Sequence, residues 1–193
     1  MSGRSPAEWV SYLLEPKNWI IATTLAVGWH AAGATGLAWG GLAALFAGVL
    51  PMVFISRGVR RGRWDDRYVG AKRPRLIVLA FILASVAVGL ALLVGLGAPR
   101  QLSGYIACML GSVAVLAAIT LVWKVSIHCA VAAGSVTILT LLFGASLIPA
   151  YLLVALTAWS RVALKDHTTA QVVAGSLLGV AAALVTYAVI PHR

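Results

Sequence analysis

Apolar runs of about membrane-spanning length, separated by short polar segments, are the feature that most constrains this sequence. A helix needs about 20 apolar residues to cross a bilayer. Of the 193 residues, 61% are hydrophobic and only 10% are charged, which is too little polar surface for a soluble domain. Residues 1–193 are therefore predicted to form one all-α domain, a polytopic transmembrane helical bundle of about six to seven spans. Hydropathy places the spans at about 19–32, 37–55, 76–96, 102–122, 129–143, 150–159 and 169–190.

Three polar segments, at 56–75, 123–128 and 160–168, are predicted to share one side of the membrane, because an even number of spans separates them. The same side carries most of the lysines and arginines, so the positive-inside rule predicts a multi-pass protein of the cell membrane with this face in the cytoplasm. The net charge of +10 lies beside the spans, which favours anionic lipid head groups or a phosphorylated substrate over nucleic acid. The arginines between Arg57 and Arg63 are interpreted as a topogenic cluster.

Two further patterns lie near the ends of the chain. Residues 1–18 form an amphipathic lead whose interfacial face includes Trp9 and Leu13. On the last span, Gly175 and Gly179 form a Gly-x3-Gly pattern. This spacing favours close packing of that span against another helix of the same chain.

The polar segments contain two histidines, His128 and His167, each at the start of a span. The N-terminus of a helix offers free backbone N–H groups and a dipole that favours anions. Several arginines accompany the histidines, and guanidinium groups bind phosphate oxygens in two-pronged fashion. Two imidazoles among several positively charged side chains, with no set of metal-binding carboxylates, indicate phosphoryl transfer. In such a reaction one imidazole attacks the phosphorus and the other protonates the leaving oxygen.

The segment 160–171 resembles the third signature of the type 2 phosphatidic acid phosphatase (PAP2) superfamily, Ser-Arg-x5-His-x3-Asp. Ser160, Arg161 and His167 match at the right spacing, while Gln171 replaces the aspartate. The wider pattern Arg-x5-His-Thr-x2-Gln-Val-x-Ala-Gly resembles a branch of small prokaryotic members, some of which act on polyprenyl phosphates.

The other two signatures are matched less completely. The second, Pro-Ser-Gly-His, resembles the segment that ends at His128, which keeps Ser126 but not the proline or the glycine. The first, Lys-x6-Arg-Pro, resembles the segment that ends at Arg73, with Asp66 at the lysine position and Arg67 beside it. The order and separation of the three segments fit the family, and the PAP2-like core covers about residues 57–190.

The resemblance implies a metal-independent phosphoric ester hydrolase that uses no cofactor. His167 would be the nucleophile that forms a phosphohistidine, and His128 would be the general acid for the departing alcohol. Gln171 can orient the His167 ring, but a neutral amide stabilises the imidazolium less than a carboxylate does. The implied phosphate-binding residues are Arg73, Arg161, Ser126 and Arg67, and the supporting residues are Gln171, Lys124 and Asp66.

Three functions remain open on the sequence. The leading hypothesis is an integral-membrane lipid phosphatase that hydrolyses a phosphate or diphosphate ester of an isoprenoid or a glycerolipid. A second keeps the diphosphate pocket but uses it to ionise or cyclise a prenyl diphosphate, as a terpene synthase does. A third is a non-catalytic lipid-binding or transport protein with a degenerate site. The sequence does not identify the lipid, and it leaves open whether the protein is a monomer or an oligomer.

Overall fold

The computed structural model describes residues 5–64 and 72–190, and within these residues the regular structure is entirely helical. The prediction of an all-α fold is confirmed. In chain order the elements are α1 (Pro6–Leu13), α2 (Pro16–Ala44), a π-helical stretch (Leu45–Val49), α3 (Leu50–Arg60), α4 (Lys72–Gly95), α5 (Arg100–Val122), α6 (Ile127–Phe143), a 3₁₀ helix (Ala145–Ala150), α7 (Tyr151–Ala163) and α8 (Thr169–Val189).

Helix α2 folds back on itself at Ala32 and Gly33, which leave the helical conformation. Gly33 has a φ of +60°, a value that glycine adopts without steric cost. The two arms then run antiparallel in backbone contact. A Cβ atom on Gly36 would lie 1.8 Å from the Gly28 carbonyl oxygen, so only glycine permits this approach. The chain therefore reverses its direction between the first two predicted spans, 19–32 and 37–55.

Five stretches of the described residues are long and apolar enough to cross a membrane. These are Pro6–Arg60, Arg73–Gly95, Arg100–Val122, Ala145–Ala163 and Thr169–Val189. The first stretch contains the α2 hairpin and so passes twice, and the apolar α6 adds a shorter pass of 17 residues. The described residues therefore make seven apolar passes, in agreement with the predicted six to seven spans.

Helices α6 and α8 pack in parallel and in direct backbone contact. Gly175 lies against the Ser126 carbonyl and Gly179 against the Ala130 carbonyl, where added Cβ atoms would come within 2.4 and 2.1 Å. The Gly-x3-Gly pattern thus serves packing within the chain, as predicted. The Ser126 N–H donates to the Gln171 carbonyl at 3.2 Å, which joins the N-terminal ends of the two helices.

Helix α1 lies against α7 at the same end of the bundle. A capping box starts the helix, because Ser5 and Glu8 exchange side-chain and backbone hydrogen bonds. Trp9 and Leu13 are 50% and 60% exposed, whereas Ser11 is fully buried. The predicted amphipathic lead is therefore present, with its polar Ser11 facing inward and apolar side chains facing outward.

Candidate active site

A cavity of about 170 Å³ opens among the N-terminal ends of α4, α6 and α8. Its polar walls include both predicted histidines, His128 and His167, together with Arg75 and Arg161. The three polar segments therefore meet, as their predicted placement on one side of the membrane requires. Two imidazoles and two guanidinium groups therefore line the same cavity, although they are far apart in the sequence.

The turn between α7 and α8 holds His167 in place. The backbone N–H groups of Asp166 and His167 both donate to the Arg161 carbonyl, at 3.1 and 3.2 Å. Lys165 makes the reversal in the left-handed region with a φ of +57°. The side chain of Lys124 reaches across from the end of α5 and donates to the Asp166 carbonyl at 2.7 Å. Lys124 thus stabilises the turn, and its supporting role in the reaction stays a prediction.

The tautomer of His167 follows from its contact with Gln171. Gln171 Oε1 lies 3.1 Å from His167 Nδ1 and also accepts the Thr168 backbone N–H at 3.2 Å. Because a backbone N–H can only donate, the Gln171 atom facing it is the carbonyl oxygen. His167 Nδ1 must then carry the proton of their hydrogen bond. The lone pair is left on Nε2, which is the arrangement that a nucleophilic imidazole requires.

The surroundings of His167 keep its imidazole neutral. Burial is the main cause that lowers the pKa of His167 to about 4, and the positive charge of Lys124 is the next. Arg75 and Arg161 act in the same direction, while the hydrogen bond to Gln171 opposes them. At neutral pH the ring is therefore unprotonated and retains the lone pair on Nε2.

His128 lies in the first turn of α6, whose N-cap is Ser126. The Ser126 side chain accepts the Cys129 N–H at 3.4 Å, and Ser126 is fully buried. Ser126 is not among the residues that line the cavity, although its neighbour Ile127 is. The structure shows Ser126 as the residue that caps α6 and ties it to α8, and its role in phosphate binding stays a prediction.

Arg161 is held from two sides and is only 2% exposed. One terminal nitrogen donates to Ser11 Oγ at 2.7 Å, and the other lies 2.9 Å from Asp166 Oδ2. Asp166 therefore pairs with Arg161, while Gln171 contacts His167. These contacts fix the guanidinium group at the wall of the cavity before any anion binds.

On α4 the structure brings Arg75 into the cavity and leaves Arg73 outside it. Arg75 is 6% exposed and donates to the Val125 carbonyl, whereas Arg73 is exposed and does not line the cavity. Two positions along a helix differ by about 200° in direction, so only one of the two can face the site. Arg67 and Asp66, which the first signature also suggested, lie outside the described residues.

Three residues of the N-terminal segment belong to the site without having been predicted from the sequence. Ser11 holds Arg161, and Glu15 and Lys17 line the cavity. Glu15 is 3% exposed and its carboxylate lies 3.0 Å from Lys17 Nζ. The available signal was the spacing of Ser11 and Glu15, two polar residues four positions apart in the amphipathic lead. It indicates an inward face but not which helix that face meets.

Within residues 5–64 and 72–190, no group of three or more His, Cys, Asp or Glu side chains is placed to hold a metal ion. Residues 117–193 match the family model of the PAP2 superfamily. The chain carries a PAP2 domain. No curated protein and no solved structure matches the chain.

The match to the PAP2 superfamily covers part of the predicted core of residues 57–190 and begins at 117, so a single domain over 1–193 stays a prediction. His128, Arg161 and His167 lie within the PAP2 domain. Arg75, Ser11 and the remaining cavity residues of α1 to α5 before 117 lie outside it. The site is therefore assembled from the PAP2 domain and from the chain that precedes it.

Proposed function

We propose that this protein is an integral-membrane lipid phosphatase that hydrolyses a phosphate or diphosphate ester of an isoprenoid or a glycerolipid. A phosphatase-type function agrees with the PAP2 domain and the apolar helices. The observation that carries the proposal is the single cavity lined by His128, His167, Arg75 and Arg161. Its two arginines are suited to binding an anion, and its two imidazoles are suited to the roles of a nucleophile and a general acid.

The remainder of the cavity wall supports a substrate with an apolar chain. The α2 hairpin, the π-helical stretch, α3, α4 and α5 all contribute apolar groups next to the cations. An apolar cavity of about 150 Å³ in another protein binds benzene, so about 170 Å³ accommodates a phosphate with the first carbons of a chain. The apolar lining residues include Ile20, Ala47, Pro51, Met52, Ile55, Val78, Leu79, Ile82, Val113 and Leu116.

The proposed reaction proceeds in two steps. His167 Nε2 attacks phosphorus, the bond from phosphorus to the lipid oxygen breaks, and His128 gives its proton to the departing alkoxide. In the second step His128 takes a proton from water, the resulting hydroxide attacks the phosphohistidine, and inorganic phosphate leaves with His167 restored. Arg75 and Arg161 stabilise the negative charge on the phosphoryl oxygens throughout.

The test measures inorganic phosphate released from a panel of lipid phosphates: a polyprenyl monophosphate, a polyprenyl diphosphate and a phosphatidic acid. We expect His167→Ala and His128→Ala to lower the rate about 10³-fold or more. His30→Ala is the matched control, because His30 packs on Phe143 at the far end of α6, with ring centroids 5.3 Å apart. Full activity in His167→Ala would refute the mechanism.

The same experiment separates the alternative functions. A phosphate label that is stable to base, labile to acid and lost in His167→Ala identifies the phosphohistidine. Conversion of the prenyl diphosphate to a cyclised product, without free prenol, would favour the terpene synthase-like function. Retention of lipid phosphates with no phosphate release from any member of the panel would favour a binding or transport protein.

A further inference from the structure

A second cavity, of about 240 Å³, lies at the C-terminal end of α3. It is lined by Phe54, Arg57, Gly58, Arg61, Arg63 and Trp64, and we call it the arginine pocket. It shares no lining residue with the cavity that contains His128 and His167, which we call the histidine cavity, and within residues 5–64 and 72–190 no acidic side chain lines it. Since the second arm of the α2 hairpin returns to the end where α1 begins, both cavities open on the same face of the bundle.

The turn that follows α3 gives the arginine pocket its shape. Gly62 takes a φ of +64°, and the Arg63 N–H returns to the Gly58 carbonyl at 2.9 Å, as in a glycine C-cap. The Trp64 indole N–H then donates to the Ile55 carbonyl at 2.9 Å. This reversal brings Arg63 beside the last turn of the helix that carries Arg57, so that the three arginines surround one space.

An aromatic floor supports the pocket. Trp64 is 8% exposed and lies directly on Gly58, where an added Cβ atom would fall 1.8 Å from the indole Cζ2. Phe54 contacts the indole at a centroid distance of 5.7 Å and stacks on Phe81 at 4.0 Å. The pocket is therefore built on a packed turn, whereas its three arginine side chains are exposed.

We propose that the arginine pocket binds a phosphate-bearing anion at the membrane surface, separately from the histidine cavity. A guanidinium group donates paired hydrogen bonds to phosphate oxygens, and several guanidinium groups around one pocket strengthen the binding of the anion. The positive-inside rule accounts for an excess of arginine here, but charge alone requires neither the glycine turn nor the buried indole. A lipid head group or a soluble phosphate would supply the same anion.

The experiment uses the full chain in detergent and measures by native mass spectrometry how much phosphatidylglycerol stays bound relative to phosphatidylcholine. The double variant Arg61→Gln/Arg63→Gln should lower the retention of phosphatidylglycerol about tenfold or more, since hydrogen bonds to two charged groups are lost. Arg60→Gln is the matched control, because Arg60 is an exposed arginine at the same end of α3 that does not line the pocket. Gly58→Ala keeps every arginine but displaces the Trp64 floor, and it should lower retention as well.

Equal losses in the Arg60 control and the double variant would overturn the proposal, because they would show bulk charge rather than a site. Unchanged retention in both the double variant and Gly58→Ala would also overturn it, unless inorganic phosphate binds the wild type and not these variants. That result would assign the pocket to a soluble phosphate. Displacement of phosphatidylglycerol by inorganic phosphate would identify the phosphate group as the part recognised. None of these readouts depends on phosphatase activity.

Discussion

Replacing Gln171 by glutamate tests the chemistry of His167 most directly. The substitution keeps the length of the side chain and its capping bond to the Thr168 N–H, but it places a negative charge beside Nδ1 of His167, at the present distance of 3.1 Å. Two unit charges at this separation attract by about 5 kcal/mol at an effective dielectric constant of 20, and by about 1 kcal/mol in bulk water. The pKa of His167 should therefore rise by about one to four units.

The sign of the effect on activity follows from the protonation state. In the proposed mechanism His167 attacks as the neutral base, so its pKa of about 4 predicts that protonation of this ring lowers kcat/KM of the wild type as the pH drops through that value. In Gln171→Glu the fall should occur at higher pH, because the carboxylate stabilises the imidazolium. Above the new pKa the variant should be at least as fast as the wild type, since positive charge develops on the ring as the bond to phosphorus forms.

The assay is the pH profile of kcat/KM for phosphate release by both proteins on the same lipid phosphate. The substrate has its own ionisation near pH 6, but it contributes equally to both profiles, so their difference reports the enzyme. Gln171→Ala is the control, because it removes the contact with His167 without adding a charge. In this variant the fall of kcat/KM at low pH should not move to a higher pH. Identical acid limbs for the wild type and Gln171→Glu would refute the assignment of His167 as the nucleophile oriented by Gln171.

Three further substitutions test how the site is assembled. Arg75→Gln should lower kcat/KM about 100-fold while Arg73→Gln changes it less than about twofold, and equal losses would contradict the placement of α4. Ser11→Ala should raise KM about tenfold by loosening Arg161, with recovery in Ser11→Thr, and the ratio of KM to kcat distinguishes this effect from general destabilisation. Gly175→Ala should destabilise the protein by about 1–3 kcal/mol in thermal unfolding, because its Cβ would lie 2.4 Å from a backbone oxygen of α6, and an unchanged Tm would disprove that contact.

The sequence alone determined the class of fold and the side of the bundle on which the chemistry lies. Hydropathy is decisive for helical spans, since a helix that crosses a bilayer must be apolar over about 20 residues. Counting the spans between the polar segments then placed His128 and His167 at one end, a result that does not depend on how the helices pack. The third signature was equally readable, because its residues all lie within the short segment 160–171, where α7 ends and α8 begins.

The rotation and contacts of the helices were decided only by the tertiary structure. Helix α4 is apolar on all sides, so its pattern contains no preferred face, and the choice of Arg75 over Arg73 depends on how it packs. Ser11 and Arg161 are 150 residues apart, and no local pattern joins them. The pairing of α1 with α7 depends on the shapes of both surfaces together, which is information that neither segment contains by itself.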